Sequence, residues 1–297
     1  MSYISLTTTS AVTLGLLFVF AILFLLLIRA RLQNRCEQPL VVELAKRDNF
    51  AVGISYAASL FTMLMVASAL LKGIQLDLDP YHLGYAFGLF AACYLFVKLG
   101  AVIHAKIILS RLNEDNEIRH KNVCVALVES GALIANALLV VAIYRWINPN
   151  DVHEFIVVLL SFFVVQLMLL LQSRWQEFWF AKANQGAALQ QSFSYDNKAL
   201  GLKYASHTVA CAQAIFAALA SANYKEHAVV DNLLTLIVNA GILIIVLVTL
   251  ASLLTKIALP KINTNNEIDQ QDNVGIAAVE LAINLSLGFL FIRLFAH

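Results

Sequence analysis

Long apolar stretches alternate with short polar connectors along the whole chain. The first stretch, residues 9–28, contains no charged residue. A membrane-spanning helix needs about 20 mainly apolar residues, so this stretch is long enough to cross a bilayer. Seven further stretches of this kind follow, at 50–71, 83–109, 123–146, 155–172, 199–222, 230–257 and 274–295. The pattern predicts an all-α polytopic membrane protein with eight transmembrane helices.

The composition supports a membrane protein and argues against soluble classes. Apolar residues make up 60% of the 297 residues and charged residues only 13%, whereas a soluble domain carries about 25% charged residues. The net charge of +1 provides no overall field for a polyanion. We therefore expect the lipid bilayer as the main partner and no binding of nucleic acid.

The basic residues of the connectors predict the orientation. Cytoplasmic loops are enriched in Lys and Arg. The connectors after the first, third, fifth and seventh stretches, together with the adjoining ends of those stretches, hold 14 of the 20 basic residues. The opposite side, which includes both termini, holds Lys72, Arg145, Lys225 and Arg293. No basic residue precedes residues 9–28, so we expect a retained first helix rather than a signal peptide. Both termini are then periplasmic.

A short polar motif recurs where each even-numbered stretch begins. It reads Asp48-Asn49, Lys121-Asn122, Asp196-Asn197 and Asp272-Asn273, with Asn-to-Asn spacings of 73, 75 and 76 residues. A constant period indicates an internal repeat, here of two spans. An even number of spans gives every unit the same orientation. The sequence thus predicts four parallel two-helix repeats.

Two further positions refine this repeat. Three units carry a Glu shortly before the Asn, namely Glu43, Glu117 and Glu267, and the third unit has Gln191 in that region. Seven residues after each Asn the chain has Tyr56, Glu129, Tyr204 and Glu280 in turn. This alternation pairs the first unit with the third and the second with the fourth. It indicates a duplicated four-helix module, with halves 1–150 and 151–297.

The segment 267–281, EIDQQDNVGIAAVEL, resembles a bacterial inner-membrane family known as domain of unknown function 350 (YjfL-like). The resemblance is good in the first and fourth units. It is partial in the second, where Lys121 replaces Asp, and in the third, where Gln191 replaces Glu. It implies two-span units and a multi-pass location in the inner membrane, and it implies no established activity. Members of the family are often encoded near membrane-stress and polyamine-related genes, which implies a context and no mechanism. A cytoplasmic partner connected with membrane stress is compatible with that context.

The Asp-Asn pairs have two readings. Asn and Asp are preferred N-caps, because their side-chain oxygens accept bonds from free N–H groups at a helix start. The alternative is a ring of four polar mouths on the cytoplasmic face. The Glu before each Asn lies outside the first helical turn, so capping explains it less well.

The acidic and basic residues inside the stretches are the main candidate site. Glu129 and Glu280 lie two helical turns after their Asn, roughly 10 Å into the hydrocarbon. Charged groups at this depth usually face a protein interior or a water-filled cavity. They could lock helices together in the pairs Lys98–Glu129 and Lys203–Glu280, or form a proton or cation site. Both interpretations stay open.

The sixth stretch is the most polar, with Lys203, Tyr204 and His207 among its residues. Such a helix is expected to be shielded from lipid. Tyr56 and Tyr204 occupy equivalent positions in their units and join the candidate intramembrane site. In the connector after the fifth stretch, Trp175, Phe178, Trp179 and Phe180 predict an amphipathic helix anchored at the membrane interface.

Several chemistries find no support in the sequence. The four Cys form no CxxC pair, and the chain has no HExxH or phosphate-binding G-x-x-x-x-G-K-[ST] motif. The seven His show no metal-ligand spacing. We therefore expect no metal, no cofactor and no enzymatic activity.

The first functional hypothesis is a channel-like or transporter-like component with a polar interior around Glu129, Glu280, Lys203 and His207. The alternative is a membrane scaffold or regulatory protein that recruits a cytoplasmic partner during envelope stress. An intramembrane enzyme is the third and weakest class. A homo-oligomer is compatible with each of them.

Overall fold

The computed structural model describes residues 8–71, 79–149 and 151–295, and no β-strand occurs among them. The long helices are α1 (Thr8–Arg35), α3 (Phe50–Leu71), α4 (Pro80–Ile103), α6 (Val123–Ile147), α7 (Val152–Ala183), α9 (Lys198–Ser221), α10 (Val229–Ala258) and α12 (Val274–Phe295). The short helices are α2 (Leu40–Ala45), α5 (Glu114–Arg119), α8 (Leu189–Phe193) and α11 (Thr264–Asp269). A π-helix, His104–Ile108, follows α4 directly. The described chain is therefore all-α, as predicted.

Six helices of the described residues are long and apolar enough to cross a membrane. They span Phe50–Leu70, Pro80–Ile108, Val123–Ile147, Val152–Ala183, Val229–Ala258 and Val274–Phe295. The predicted first and sixth stretches are not among them. The first stretch falls on α1, whose beginning is only partly described, and the sixth on α9, which is more polar than α6 or α12. The count of eight spans therefore stays a prediction.

Four helices form a central row in the order α3, α6, α9, α12. The most extensive contact of the molecule joins α6 to α9, and hence the first half of the chain to the second. The other long helices flank the row: α4 packs on α6, α7 on α6 and α9, α10 on α9 and α12, and α1 on α3. Because neighbours surround it, 83% of the most apolar window of α6 is buried.

Small residues allow the central helices to approach closely. A Cβ built on Gly201 of α9 would lie 2.5 Å from the carbonyl oxygen of Cys124 on α6. A Cβ on Gly131 of α6 would lie 2.6 Å from the Cα and Cβ of Ala205 on α9. Close backbone approach at small residues is the usual means of helix association in membranes.

The aromatic segment after the fifth stretch is not a separate helix. It is the last third of α7, which continues without a break to Ala183. Trp175, Phe178 and Trp179 are exposed, whereas Phe180 is buried. The helix continues through this segment because it contains no Gly or Pro that would end a helix. The position of the aromatic residues at the membrane interface stays a prediction.

The predicted orientation rests partly on residues outside the described part. These are the two terminal segments, 1–7 and 296–297, and Lys72 in the connector after α3. The periplasmic position of both termini therefore stays a prediction.

Candidate functional site

Each Asn of the repeated motif caps a long helix. The Asn122 carboxamide oxygen accepts from the Val125 backbone N–H at 2.9 Å, and that of Asn197 accepts from Leu200 at 2.7 Å. Asn49 and Asn273 bond in the same way to the third residue of α3 and α12, at 3.2 Å each. The bonds satisfy donors that a helix start otherwise leaves free.

The residue before each Asn turns the chain into the helix. Asp48, Lys121, Asp196 and Asp272 have positive φ values of 48°, 68°, 56° and 50°. This left-handed conformation is uncommon outside Gly but is adopted by Asp more readily than by most residues. It explains why three of the four positions are Asp.

The Glu before the motif holds the capping amide. The Asn49 Nδ2 donates to Glu43 at 3.1 Å, and that of Asn122 donates to Glu117 at 2.9 Å. In the fourth unit the same bond joins Asn273 to Glu267 at 2.8 Å. In the third unit Gln191 is exposed. The Glu is thus part of the capping motif, which the sequence reading had treated as a separate feature.

The capping Asn also reaches the next short helix along the chain. The Asn49 amide donates to the Ile118 carbonyl at 3.3 Å. That of Asn122 donates to Phe193 at 3.0 Å, and that of Asn197 to Ile268 at 2.9 Å. Consecutive junctions are therefore adjacent at one end of the bundle. We call this the capped end; it comprises α2, α5, α8, α11 and the starts of α3, α6, α9 and α12.

The acidic residue of the motif reaches in the opposite direction. The Asp196 carboxylate accepts from the N–H groups of Val123 and Cys124 at 2.6 and 3.0 Å, at the start of α6. The Asp272 carboxylate accepts from Ala199 at 2.7 Å, at the start of α9. A carboxylate at a helix N-terminus is also favoured by the helix dipole. Both α6 and α9 are thus capped by their own Asn and by the Asp of the following junction.

Glu129 forms an ion pair that the sequence reading missed. Its Oε1 lies 2.6 Å from Nη1 of Arg35, the last residue of α1, and its Oε2 accepts from Ser55 of α3 at 2.6 Å. Nε of Arg35 lies 2.5 Å from the exposed carboxylate of Asp115. The predicted Lys98–Glu129 pair is wrong, since the Lys98 ammonium lies 5.1 Å from the ring centre of Tyr94.

Lys203 and Glu280 lie near each other at the α9–α12 contact, but each has other direct partners. The Lys203 ammonium donates to Asn265 at 2.8 Å and lies 3.4 Å from the Asp269 carboxylate. Glu280 is 7% exposed, hydrogen-bonds with Thr264 and interacts electrostatically with Lys203. Its Oε2 has no hydrogen-bond partner among the described residues. The closest acidic partner of Lys203 is thus Asp269.

A third polar cluster surrounds Tyr204. The Tyr204 hydroxyl donates to Ser173 at 3.0 Å and lies 3.2 Å from His104 Nε2. His104 begins the π-helix and is 1% exposed, and its Nδ1 lies 3.8 Å from the carboxylate of Glu114. A π-turn inside a helix often marks a special site. Here it places a buried imidazole between two packed helices.

The other two candidates are less engaged. Tyr56 is half-buried and packs against the main hydrophobic core. His207 is half-buried on α9 and interacts electrostatically with Lys203, one turn earlier. The predicted site therefore divides into three clusters rather than forming one centre: one at the α3–α6 contact, one between α9, α7 and the π-helix, and one at the α9–α12 contact. Each cluster includes residues that the sequence reading passed over, such as Arg35, His104 and Asp269.

Two hydrogen bonds donated by side-chain amides extend the polar contacts away from the capped end. The Gln166 amide donates to Asn136 at 2.8 Å, and the Asn284 amide donates to Ser206 at 3.0 Å. Gly100 provides the space for Asn136, since a Cβ there would overlap the Asn136 carboxamide oxygen. These buried polar groups join neighbouring helices to one another.

A wide cleft opens at the capped end, between the third and fourth junctions. It has a volume of about 1160 Å³. Its lining is rich in carboxylates and amides: Asn184, Gln185, Asp196, Asn197, Asn263, Asn265, Asn266, Asp269, Gln270 and Asp272. Within the described part of the chain, no three His, Cys, Asp or Glu side chains are placed to hold a metal ion. The cleft is therefore a polar surface lined by hydrogen-bonding groups.

Comparison with known proteins agrees with the sequence resemblance. The model of the family Domain of Unknown Function (DUF350) matches residues 2–144 and again 150–294. The chain belongs to the DUF350 family. The second match in this DUF350 chain begins in the connector between α6 and α7, so two family domains cover nearly the whole sequence. No curated protein and no solved structure matches it.

Proposed function

We propose that this DUF350 chain is a non-enzymatic scaffold of the bacterial inner membrane. It consists of four parallel two-span units in two modules, 1–150 and 151–297, with the capped end in the cytoplasm. Its polar interior fixes the positions of the central helices, and its capped end presents a cleft to a cytoplasmic partner connected with membrane stress. The observation that carries the proposal is the complete pairing of the Glu129 carboxylate.

Glu129 is engaged on both oxygens by groups from two other helices. Arg35 and Ser55 each lie 2.6 Å from it, and the Glu129 side chain is only 10% exposed. Removing one partner of a buried pair typically costs about 3–5 kcal/mol, because the other charge is left uncompensated. The pair therefore suits a lock between α1, α3 and α6 better than a relay.

The packing of α6 against α9 supports the same function. The Gly201–Cys124 and Gly131–Ala205 approaches bring backbone against backbone. A water molecule needs its own volume and two to four polar partners. Space of that kind is absent where backbones touch, so the central contact favours a rigid support over a hydrated path.

The cleft is the part of the molecule best suited to a partner. Two of its three carboxylates, Asp196 and Asp272, already bond to helix starts, and Asp269 lies beside Lys203. Its amides and the exposed Tyr195 remain on its surface. This chemistry fits a peptide segment that donates and accepts hydrogen bonds, with limited basic charge.

A photo-crosslinking pair tests the partner. Tyr195 lines the cleft and is 75% exposed, whereas Tyr81 at the opposite end is 76% exposed and serves as the matched control. Each is replaced in turn by a photoreactive phenylalanine analogue in cells under envelope stress. A scaffold predicts one defined adduct from position 195 that is absent from position 81. Equal adducts from both positions, or none from 195, would contradict a partner at the cleft.

A proton or cation conduit is the second candidate, and Glu280 is the observation that favours it. Its buried carboxyl group has one oxygen without a hydrogen-bond partner among the described residues. Reconstituted vesicles separate the two functions. A conduit predicts a pH-dependent flux of protons, cations or polyamines that Glu280→Gln abolishes. A scaffold predicts vesicles as tight as protein-free ones for wild type, Glu129→Gln and Glu280→Gln alike.

A further inference from the structure

The central row has two ends that are not equivalent. α6 and α9 each pack against two members of the row, whereas α3 and α12 each pack against one. Within the described residues, no extensive packing joins α12 back to α3. The row is therefore open at both ends. On α3 and on α12, one of the two helix faces that are covered in α6 and α9 is left without a central helix against it.

One half of that interface is a stripe of small residues, which we call the outgoing stripe. It occupies positions 2, 6, 9 and 13 after the capping Asn; in α6 these are Cys124, Val128, Gly131 and Ala135, all buried. Cys124 and Gly131 of this stripe contact α9. In α12 the same positions are Gly275, Val279, Ala282 and Ser286, of which all but Val279 are exposed.

The other half is the receiving face, at positions 4 and 8 after the capping Asn. In α9 these positions are Gly201 and Ala205, which meet Cys124 and Gly131 of α6. In α3 they are Gly53 and Ala57. A Cβ on Gly53 would meet only the Leu44 side chain, at 3.7 Å, and Ala57 is exposed. Among the described residues, the first helix of the row thus has a receiving face with no central helix on it.

The capping groups are complementary at the same two ends. Asp196 and Asp272 each bond to the start of the preceding central helix, whereas no central helix precedes Asp48 within the described residues and Asp48 is exposed. At the other end, no junction within the described part of the chain follows Asn273. The N-terminal residues of α12, Val274 and Gly275, are exposed where α6 and α9 receive an Asp. A second copy would supply both missing partners at once.

Lipid alone does not explain the composition of the outgoing stripe of α12. The exposed face of the neighbouring α10 carries large aliphatic residues, such as Ile245 at 68% and Ile257 at 74% exposure. Large aliphatic side chains suit contact with lipid, whereas small residues let helix backbones approach each other. The exposed face of α10 thus has the composition of a surface that faces lipid, and the outgoing stripe of α12 has that of a surface that faces another helix.

We infer that a second copy of this chain docks head-to-tail, with the outgoing stripe of α12 on the receiving face of α3. The contact follows the α6–α9 arrangement from one copy to the next, with the helices further apart at Ala282, which has a Cβ where α6 has Gly131, and with Asp48 of one copy capping α12 of the other. It is heterologous, since different surfaces meet, and such contacts build rings or rows. The inference rests on the packing of the row and not on the scaffold function.

Cysteine crosslinking in membranes tests this contact. Position 282 faces position 57 if the α6–α9 arrangement is repeated, and helices separated just far enough to admit the Cβ at position 282 bring the two Cβ atoms within disulfide range. Ala57→Cys and Ala282→Cys are made separately in chains with different tags, both carrying Cys36→Ser. The other native cysteines are buried. Ile245→Cys, on the lipid-facing side of α10, is the matched control for Ala282→Cys.

Mild oxidation should give a mixed dimer from Ala57→Cys and Ala282→Cys chains, at least tenfold more than from Ala57→Cys with Ile245→Cys. Ala282→Cys chains alone should give none. Dimers formed mainly between two Ala282→Cys chains would indicate a symmetric contact and would overturn the head-to-tail arrangement. Equal yields with the Ile245→Cys control, or no disulfide at all, would also overturn the inference.

Discussion

The backbone contact between α6 and α9 predicts an opposite response of two glycines to the same substitution. Gly201→Ala adds a Cβ that would lie 2.5 Å from the Cys124 carbonyl oxygen and 2.9 Å from its Cα. Gly241→Ala adds one on α10 where nothing lies within 4 Å. Both positions are helical and both gain the same backbone preference for Ala.

The magnitudes follow from these distances. Ordinary contact begins at 3.4 Å, so α6 and α9 must separate by roughly 1 Å to admit the new methyl group. Overpacking of this kind costs about 1–3 kcal/mol. Replacing a helical Gly by Ala returns about 0.5–1 kcal/mol. We expect Gly201→Ala to lower the free energy of unfolding by about 1–2 kcal/mol, and Gly241→Ala to leave it unchanged or raise it.

Thermal unfolding in detergent, followed by circular dichroism, measures both variants against wild type. Gly201→Ala should unfold at a lower temperature than wild type, and Gly241→Ala at the same or a higher one. If Gly201→Ala were as stable as Gly241→Ala, the close approach of α6 and α9 would be incorrect. The argument against a hydrated path would then lose its basis.

Three further predictions concern individual groups. Asn197→Asp keeps the capping oxygen but loses the amide hydrogen bonds to the Ile268 and Asp269 carbonyls. We expect the free energy of unfolding, measured by thermal unfolding, to decrease by about 2 kcal/mol. Asn116→Asp, at an exposed position, should leave it unchanged. Lys203→Met leaves Asp269, whose side chain is 2% exposed, without its charge partner; an unfolding free energy lower by about 3 kcal/mol is expected, and an unchanged value would contradict the pair. Burial above all, together with Glu43, raises the pKa of the Cys36 thiol, although Arg35 opposes this. Because the thiolate is the reactive form, iodoacetamide should alkylate Cys36 more slowly than free cysteine at mildly alkaline pH. The alkylation rate should still increase when the pH is raised above the ordinary thiol pKa. Alkylation of Cys36 faster than that of free cysteine would contradict its burial.

Local signals in the sequence located most of the helices. The predicted stretch 50–71 coincides with α3, and the predicted 274–295 coincides with α12, because a capping Asn fixes each start. The ends of α1 and α7 were placed too early. Both helices continue through polar residues beyond the apolar stretch, and apolarity alone does not show where a helix ends.

The candidate site was only partly predictable. The repeat drew attention to Glu129, Tyr204 and Glu280, and each lies in a polar cluster. Their partners could not be found from spacing, because Arg35 is 94 residues from Glu129 and His104 is 100 residues from Tyr204. Lys98 was chosen as a partner for its depth in a stretch, but the long side chain of Arg35 reaches inward from the end of α1.

Cysteine accessibility around α9 tests the central claim, a packed interior without a water-filled path, most directly. Native Cys211 is 4% exposed, Ser206 faces α12, and Gln213 lies against Gly288. Ser206→Cys and Gln213→Cys, with Cys211 as the native third position, are treated with a membrane-impermeant thiol reagent from each side, in a Cys36→Ser background. The scaffold predicts no labelling of the three positions until the protein is denatured. Labelling of any of them in the folded protein, from either side, would contradict the packed interior.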